Sequence, residues 1–144
     1  MPEPFLFRTS LRVRLPETDV MGIVFHGNFF LYMEVGRMDY LRNIGLSDPE
    51  RPMKGMDNVV KHAACDYESP ARFDDLLDIY VRVAEIRNTS FRFEFLITKG
   101  VEDTVVAKGE SVHVAIDAKS WKPTRVPESF RAPVRAFEGP ALKE

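Results

Sequence analysis

Hydrophobic and polar residues alternate along the first part of the chain, about Phe5 to Leu15, where Leu11, Val13 and Leu15 share one face and Arg12 and Arg14 the other. A two-residue period predicts a half-buried strand. Pro16 stops the pattern, and Glu17 to Gly22 reads as a loop. From Asn28 to Asn43 the period lengthens. Phe30, Leu31, Val35, Met38 and Leu41 recur near helical spacing, and Phe29, Tyr32, Met33 and Tyr40 widen the apolar surface. A helix with so few faces left for water is buried on most sides. Asn28 is placed to cap its start and Gly45 its end. Gly36 inside it costs about 1 kcal/mol relative to alanine, which fits a backbone that must approach a sheet closely.

A loop rich in Pro, Met and Gly (Ser47 to Asp57) leads into a run of strands. Val59 to Tyr67 is the first. In the second, Leu77, Ile79, Val81 and Val83 alternate with Asp78, Tyr80, Arg82 and Ala84. In the third, Phe91, Phe93, Phe95 and Ile97 alternate with Arg92, Glu94, Leu96 and Thr98. Arg87 to Ser90 is short enough for a hairpin turn between those two. Lys99 to Asp103 makes the next turn, and Thr104 to Ile116 a long last strand. Beyond Trp121, the prolines at 123, 127, 133 and 140 break any period. The expectation is one domain over residues 1–144, with a core of about 5–130 and an irregular surface tail at 131–144. One helix against a five-stranded, mostly antiparallel sheet is an α+β arrangement. A single helix cannot cover such a sheet, so a second subunit is expected to complete the burial.

Composition narrows the partners. The net charge is −2, from 20 basic and 22 acidic residues spread along the chain, so no global field favours nucleic acid or an anionic membrane. The one cysteine, Cys65, cannot form an internal disulfide and fits a reducing compartment. No apolar run reaches the ~18 residues of a membrane span. The N-terminus lacks the basic start and apolar core of a signal peptide, and a cytoplasmic location is expected.

Candidate chemistry concentrates in Thr18–His26, where Asp19 and His26 flank a glycine-containing turn just ahead of the long helix. Read alone, Asp19 is ordinary turn chemistry, because Asp bonds nearby loop amides. The apolar stretch Val20–Val24 offers the other reading: it is expected to carry Asp19 inward, where desolvation raises its basicity. His26 has two readings as well. Its backbone N–H, at or just before the first helical turn, can donate to a carbonyl oxygen; its imidazole can position Asp19, a water or a leaving thiolate. Other hydrolytic machinery is missing. Gly109-Glu110-Ser111-Val112-His113 imitates a nucleophile elbow but lies inside an alternating strand. Cys65 has no evident activator. His26, His62 and His113 show no metal-ligand spacing, and no glycine-rich phosphate loop is present.

These residues resemble a known family. Arg12-Val13, Thr18-Asp19, Gly22-Ile23-Val24 and Phe29 are similar to the signature of the 4-hydroxybenzoyl-CoA thioesterase-like, hot-dog-fold acyl-CoA thioesterases. Glu34 and Arg37 on the helix, Ser69–Asp75 and Val126-Pro127 extend the resemblance over roughly residues 8 to 130. It implies a sheet wrapped around one long central helix, pairing of protomers into dimers or tetramers (dimers of dimers), and sites at the subunit interface. By resemblance Asp19 is the catalytic carboxylate, as nucleophile or as base for water, and the His26 amide faces the thioester oxygen. Gly22 and Phe25 belong to the substrate-binding motif, Glu34 lines the acyl pocket, and Asn58 is a polar residue near the carboxylate. Arg87 and Ser90 fall where relatives hold the coenzyme A phosphates, although Asn88 and Thr89 are neutral. The implied substrate is an acyl-CoA or an acyl carrier protein thioester, hydrolysed with no metal and no organic cofactor. A hot-dog hydratase or dehydratase and a non-catalytic acyl-CoA-binding protein are the alternatives.

Overall fold

The long apolar helix organises the molecule. In the computed structural model, which describes residues 1–144, Asn28–Asn43 form α1, the span predicted from its spacing. The strands are β1 (Arg8–Arg12), β2 (Asp57–Tyr67), β3 (Leu76–Ile86), β4 (Ser90–Lys99) and β5 (Thr104–Ile116). All pair antiparallel, in the order β1-β3-β4-β5-β2. The alternation read from the sequence fixes which face is buried. Ile79, Val81 and Val83 of β3 stand opposite Ile97, Phe95 and Phe93 of β4 and belong with Tyr32, Met33 and Tyr40 of α1 to one core cluster. Gly36 has the expected role: a Cβ there would lie 2.7 Å from Ile79 Cγ2 and 3.0 Å from Val81 Cγ2.

Four local expectations are corrected. β1 ends at Arg12, and Leu15 opens a short 3₁₀ turn with its side chain exposed. Asn28 does not cap α1. Gly27 precedes the helix with no side-chain cap, and Asn28 Nδ2 instead donates to the Glu17 carbonyl at 2.9 Å. Val20 and Met21 are not carried inward; both are among the most exposed apolar residues of the chain, and only Val24 of that stretch is buried. Nor is the tail irregular: Glu128–Glu138 form α2, ending at Gly139 with positive φ.

The prolines masked α2. Pro127 sits just before the helix, where no N–H is needed. Pro133 sits inside, and the helix persists because tertiary packing offsets the missing bond. Phe130 packs against Phe91 at 4.6 Å with the rings tilted, Phe137 meets Tyr40 edge-on at 5.6 Å, and the buried Glu138 carboxylate accepts from Tyr40 Oη (2.5 Å) and the Val83 N–H (3.0 Å). Burial pushes the Glu138 carboxyl above its ordinary value. Buried Arg131 donates to the carbonyls of Val126, Arg87 and Asn88, so α2 clamps the β3–β4 turn.

The two sheet edges differ. β1 is short, whereas β2 presents an 11-residue edge on which no strand pairs, with Val60 and Tyr67 exposed beside it. No helix is long and apolar enough to cross a membrane.

Candidate active site

The Asp19 segment is a tight hairpin laid across the start of α1. The Asp19 N–H donates to Ile23 O at 2.8 Å, Phe25 N–H to Glu17 O at 2.9 Å, and Thr18 bridges Val24. Gly22 closes the turn at φ +77°, a backbone position that suits glycine. Val24 N–H then donates to Ala71 O, tying the hairpin to the segment that enters β3. Asp19 is half-buried in one protomer. Its Oδ1 accepts the Met21 N–H at 2.9 Å, and Oδ2 makes no hydrogen bond. Turn chemistry therefore occupies one carboxylate oxygen and leaves the other free.

At the start of α1, the amides of His26 and Gly27 make no hydrogen bond within the chain, while Asn28 and Phe29 donate to Phe25 O and His26 O. Two unpaired N–H groups at a helix start carry partial positive charge and suit a developing oxyanion. Tyr67 Oη donates to His26 O at 3.0 Å, which orients that peptide from β2. The exposed His26 ring lies between Phe25 (4.4 Å) and Tyr67 (6.2 Å). Gly27 thus offers an unpaired N–H that the sequence reading did not single out.

Glu17 was missed as well. It is buried, and its carboxylate accepts from Tyr32 Oη and the Arg14 N–H, both at 2.9 Å, and from Arg14 Nε at 2.8 Å. Burial works to raise its pKa, but these donors outweigh burial and hold the carboxyl below its ordinary value. Glu17 ties the hairpin to Arg14, just past β1, and to Tyr32 of α1. No periodicity marks it, because a lone acid after a proline reads as loop.

A cavity of about 140 Å³ lies between α1 and the sheet, lined by Phe30, Met33, Glu34, Arg37, Val60, Ala63, Phe95 and Ser111. Glu34 is among these lining residues and ion-pairs with Arg37. Arg37 Nη1 reaches Nε2 of the buried His113 at 3.0 Å, with Ser111 Oγ on the same nitrogen at 2.9 Å and Asn58 Oδ1 on Nδ1 at 3.2 Å. Burial, reinforced by the Arg37 charge, pushes the His113 pKa down to about 3. Asn58 thus belongs to this network within the protomer. Phe25 is exposed beside His26, whereas Phe29, Tyr32, Met33 and Met56 are core residues, of which only Met33 reaches the cavity.

Arg87 and Ser90 sit elsewhere. They line a cleft of about 270 Å³ on the opposite sheet face with Lys61, His62, Glu85 and Arg92. The Asp19 hairpin is tied through Val24 to Ala71, ahead of β3, and Arg87 follows the last residue of that strand, so the length of β3, about 30 Å, lies between them. Lys61 adds a positive charge to this cleft beside Arg87 and Arg92. Ser111 lies within β5 rather than on a nucleophile elbow, and the thiol of half-buried Cys65 is pushed up by burial.

The sequence matches the thioesterase-like superfamily over residues 13–134. The chain belongs to the thioesterase-like superfamily. It is a thioester hydrolase. It is similar to the acyl-CoA thioester hydrolase YbgC of Shigella flexneri, 32% identical over 127 residues, 88% of this chain and 94% of that one. The thioesterase of Thermus thermophilus, whose structure is complexed with coenzyme A and Zn, is 31% identical, with a TM-score of 0.81 over 95% of this chain and 97% of that one. The 1,4-dihydroxy-2-naphthoyl-CoA thioesterase from Synechocystis, at 21% identity, shares the fold: its TM-score is 0.83 over 93% of this chain and 98% of its own. The sheet wrapped on α1 is the hot-dog fold of these thioesterases.

Proposed function

We propose that this thioesterase hydrolyses an acyl-CoA to the free acid and coenzyme A at a site shared between two protomers. The observation that carries the reading is the pairing of a free Asp19 Oδ2 with the unpaired His26 and Gly27 amides on one hairpin–helix junction. The thioester oxygen accepts from those amides. Asp19 acts on the carbonyl carbon, as nucleophile or by taking a proton from an attacking water. The tetrahedral intermediate collapses with loss of the thiolate, and water supplies the oxygen of the acid and the proton of the thiol. One oxyanion donor is worth about 3 kcal/mol, and a thiolate leaves readily, so no metal or organic cofactor enters the scheme. Gly22 shapes the turn and Phe25 and Glu34 flank the acyl group. An acyl carrier protein thioester offers the same reacting atoms.

The unpaired β2 edge supports a homodimer. An isologous, antiparallel β2–β2 pair sets the Asp57 end of one strand beside the Tyr67 end of the other. That arrangement brings one protomer's Asp19–His26 region toward the other's Asn58, Lys61 and His62. It also resolves the separation of Asp19 from Arg87 and Ser90, since the nucleotide then lies on the partner's basic cleft. The coenzyme A complex of the Thermus thermophilus relative is consistent with this substrate class.

Thiol release from short, medium, long and aromatic acyl-CoAs, with the matching acyl carrier protein thioesters, tests the reading. Release from at least one acyl-CoA is expected. Tight acyl-CoA binding with no release, or loss of an enoyl-CoA double bond without release, would refute it.

A further inference from the structure

The cavity beside α1 ends in polar groups whose hydrogen-bond ledger does not close. Arg37 is a donor only, so Nε2 of His113 faces it as a bare lone pair. The ring proton is therefore assigned to Nδ1, donating to Asn58 Oδ1 at 3.2 Å. A neutral imidazole has one acceptor lone pair, yet two donors converge on it: Arg37 Nη1 at 3.0 Å and Ser111 Oγ at 2.9 Å. One of the two is surplus. Both Arg37 and Ser111 line the cavity, whose other walls are largely apolar: Phe30, Met33, Val60 and Phe95. The cluster also balances its charge, because Glu34 pairs with Arg37 and His113 is neutral.

The position of this polar end matters. Phe30, Glu34 and Arg37 follow His26 along α1, which rises 1.5 Å per residue, so the Arg37 backbone lies about 15 Å beyond the helix-start amides. Arginine's long side chain leans back toward the helix start. An acyl group attached at those amides and running along α1 meets apolar walls first and the surplus donor last. A cavity of about 140 Å³ matches a group on the order of six carbons, since an apolar cavity of about 150 Å³ holds benzene.

We propose that Arg37 and Ser111 are specificity determinants that select a short or medium acyl group carrying a neutral oxygen acceptor, a hydroxyl or keto group, at its far end. The inference rests on the acyl-CoA thioesterase reading. A saturated chain leaves the surplus donor buried without a partner, whereas a terminal oxygen accepts from it. A terminal carboxylate would bring a net charge into a cluster already balanced.

The test compares saturated acyl-CoAs of about four to eight carbons with their terminally hydroxylated and terminally carboxylated counterparts, by thiol release. At the chain length hydrolysed fastest, the hydroxylated compound is expected to show about five- to tenfold higher kcat/KM than the saturated one, the equivalent of one net hydrogen bond, mostly through KM. Ser111→Ala should bring that ratio toward one, and Ser111→Thr, which keeps the hydroxyl, should retain it. Equal or faster turnover of the saturated chain at every length overturns the inference, as does a ratio that Ser111→Ala leaves intact. Faster turnover of the carboxylated chain overturns the neutral-acceptor assignment. Absence of thiol release from every compound of this set, with release from a long or aromatic acyl-CoA, overturns this inference alone; absence of release from those as well overturns the acyl-CoA thioesterase reading with it.

Discussion

Acidification should unfold this protein through His113. The ring is almost wholly buried, stacked on Phe91 at 5.2 Å with 12° between planes, and faces the Arg37 cation. Its pKa falls from 6.5 to about 3 on folding. Between those values the unfolded chain binds a proton that the folded chain refuses, so stability rises with pH through this window and is lost as pH drops below 6.5. Above pH 7 neither state is protonated and the contribution is complete. At about 1.4 kcal/mol per pH unit, the loss approaches about 3 kcal/mol by pH 4.5 and at most about 5 kcal/mol by pH 3. Local opening that admits water lowers this bound. The assay is urea unfolding of the wild type and His113→Gln at pH 4.5, 5.5, 6.5 and 7.5, at one protein concentration. The glutamine variant loses the stack and is less stable at pH 7.5, but its curve should be flatter by up to one proton. Subtracting the curves cancels the carboxylates common to both. Parallel curves would refute a buried neutral imidazole.

Three further outcomes follow from the packing and the surface. Gly36→Ala should lower stability by up to about 2 kcal/mol, because overpacking against Ile79 and Val81 costs about 1–3 kcal/mol and better helix propensity returns about 1; a raised Tm would contradict the close approach. Light scattering should give two or four times the 16.5 kDa chain mass, and a fully active monomer would rule out a site shared across β2. Combined Lys61→Ala and Arg87→Ala should raise KM for an acyl-CoA about tenfold through two lost phosphate contacts at roughly 0.7 kcal/mol each after screening, with little change for the acyl-pantetheine; equal effects on both would remove the basic cleft from nucleotide binding.

Most of the fold was legible because α1 and β3–β5 repeat their periods over ten or more residues. Burial of Phe91, Phe93 and Phe95 on one face follows directly from that repetition. The failures have physical causes. α2 was hidden because a proline inside a helix argues against it locally, while Phe130, Phe137 and Glu138 are satisfied only by α1 and β3–β4. Val20 and Met21 were read inward from hydropathy, but the short hairpin closed by Thr18 and Val24 has no interior for them. Within the site, Asp19, Gly22 and His26 were readable because they cluster in sequence. Glu17, Gly27, Lys61 and the Arg37–His113–Ser111 contact were not, since each gains its meaning from a partner distant along the chain or from a vacancy in backbone hydrogen bonding.

The central claim is that Asp19 and the helix-start amides work on one thioester carbonyl. The most direct measurement is thiol release by Asp19→Asn, an isosteric change that preserves the Oδ1 bond to Met21, on a variant shown to keep the wild-type circular dichroism and oligomeric mass. Loss of a general base or nucleophile of this kind predicts a fall in kcat of at least about a hundredfold, with substrate binding retained. Turnover within about threefold of the wild type would contradict the account and remove Asp19 from the chemistry.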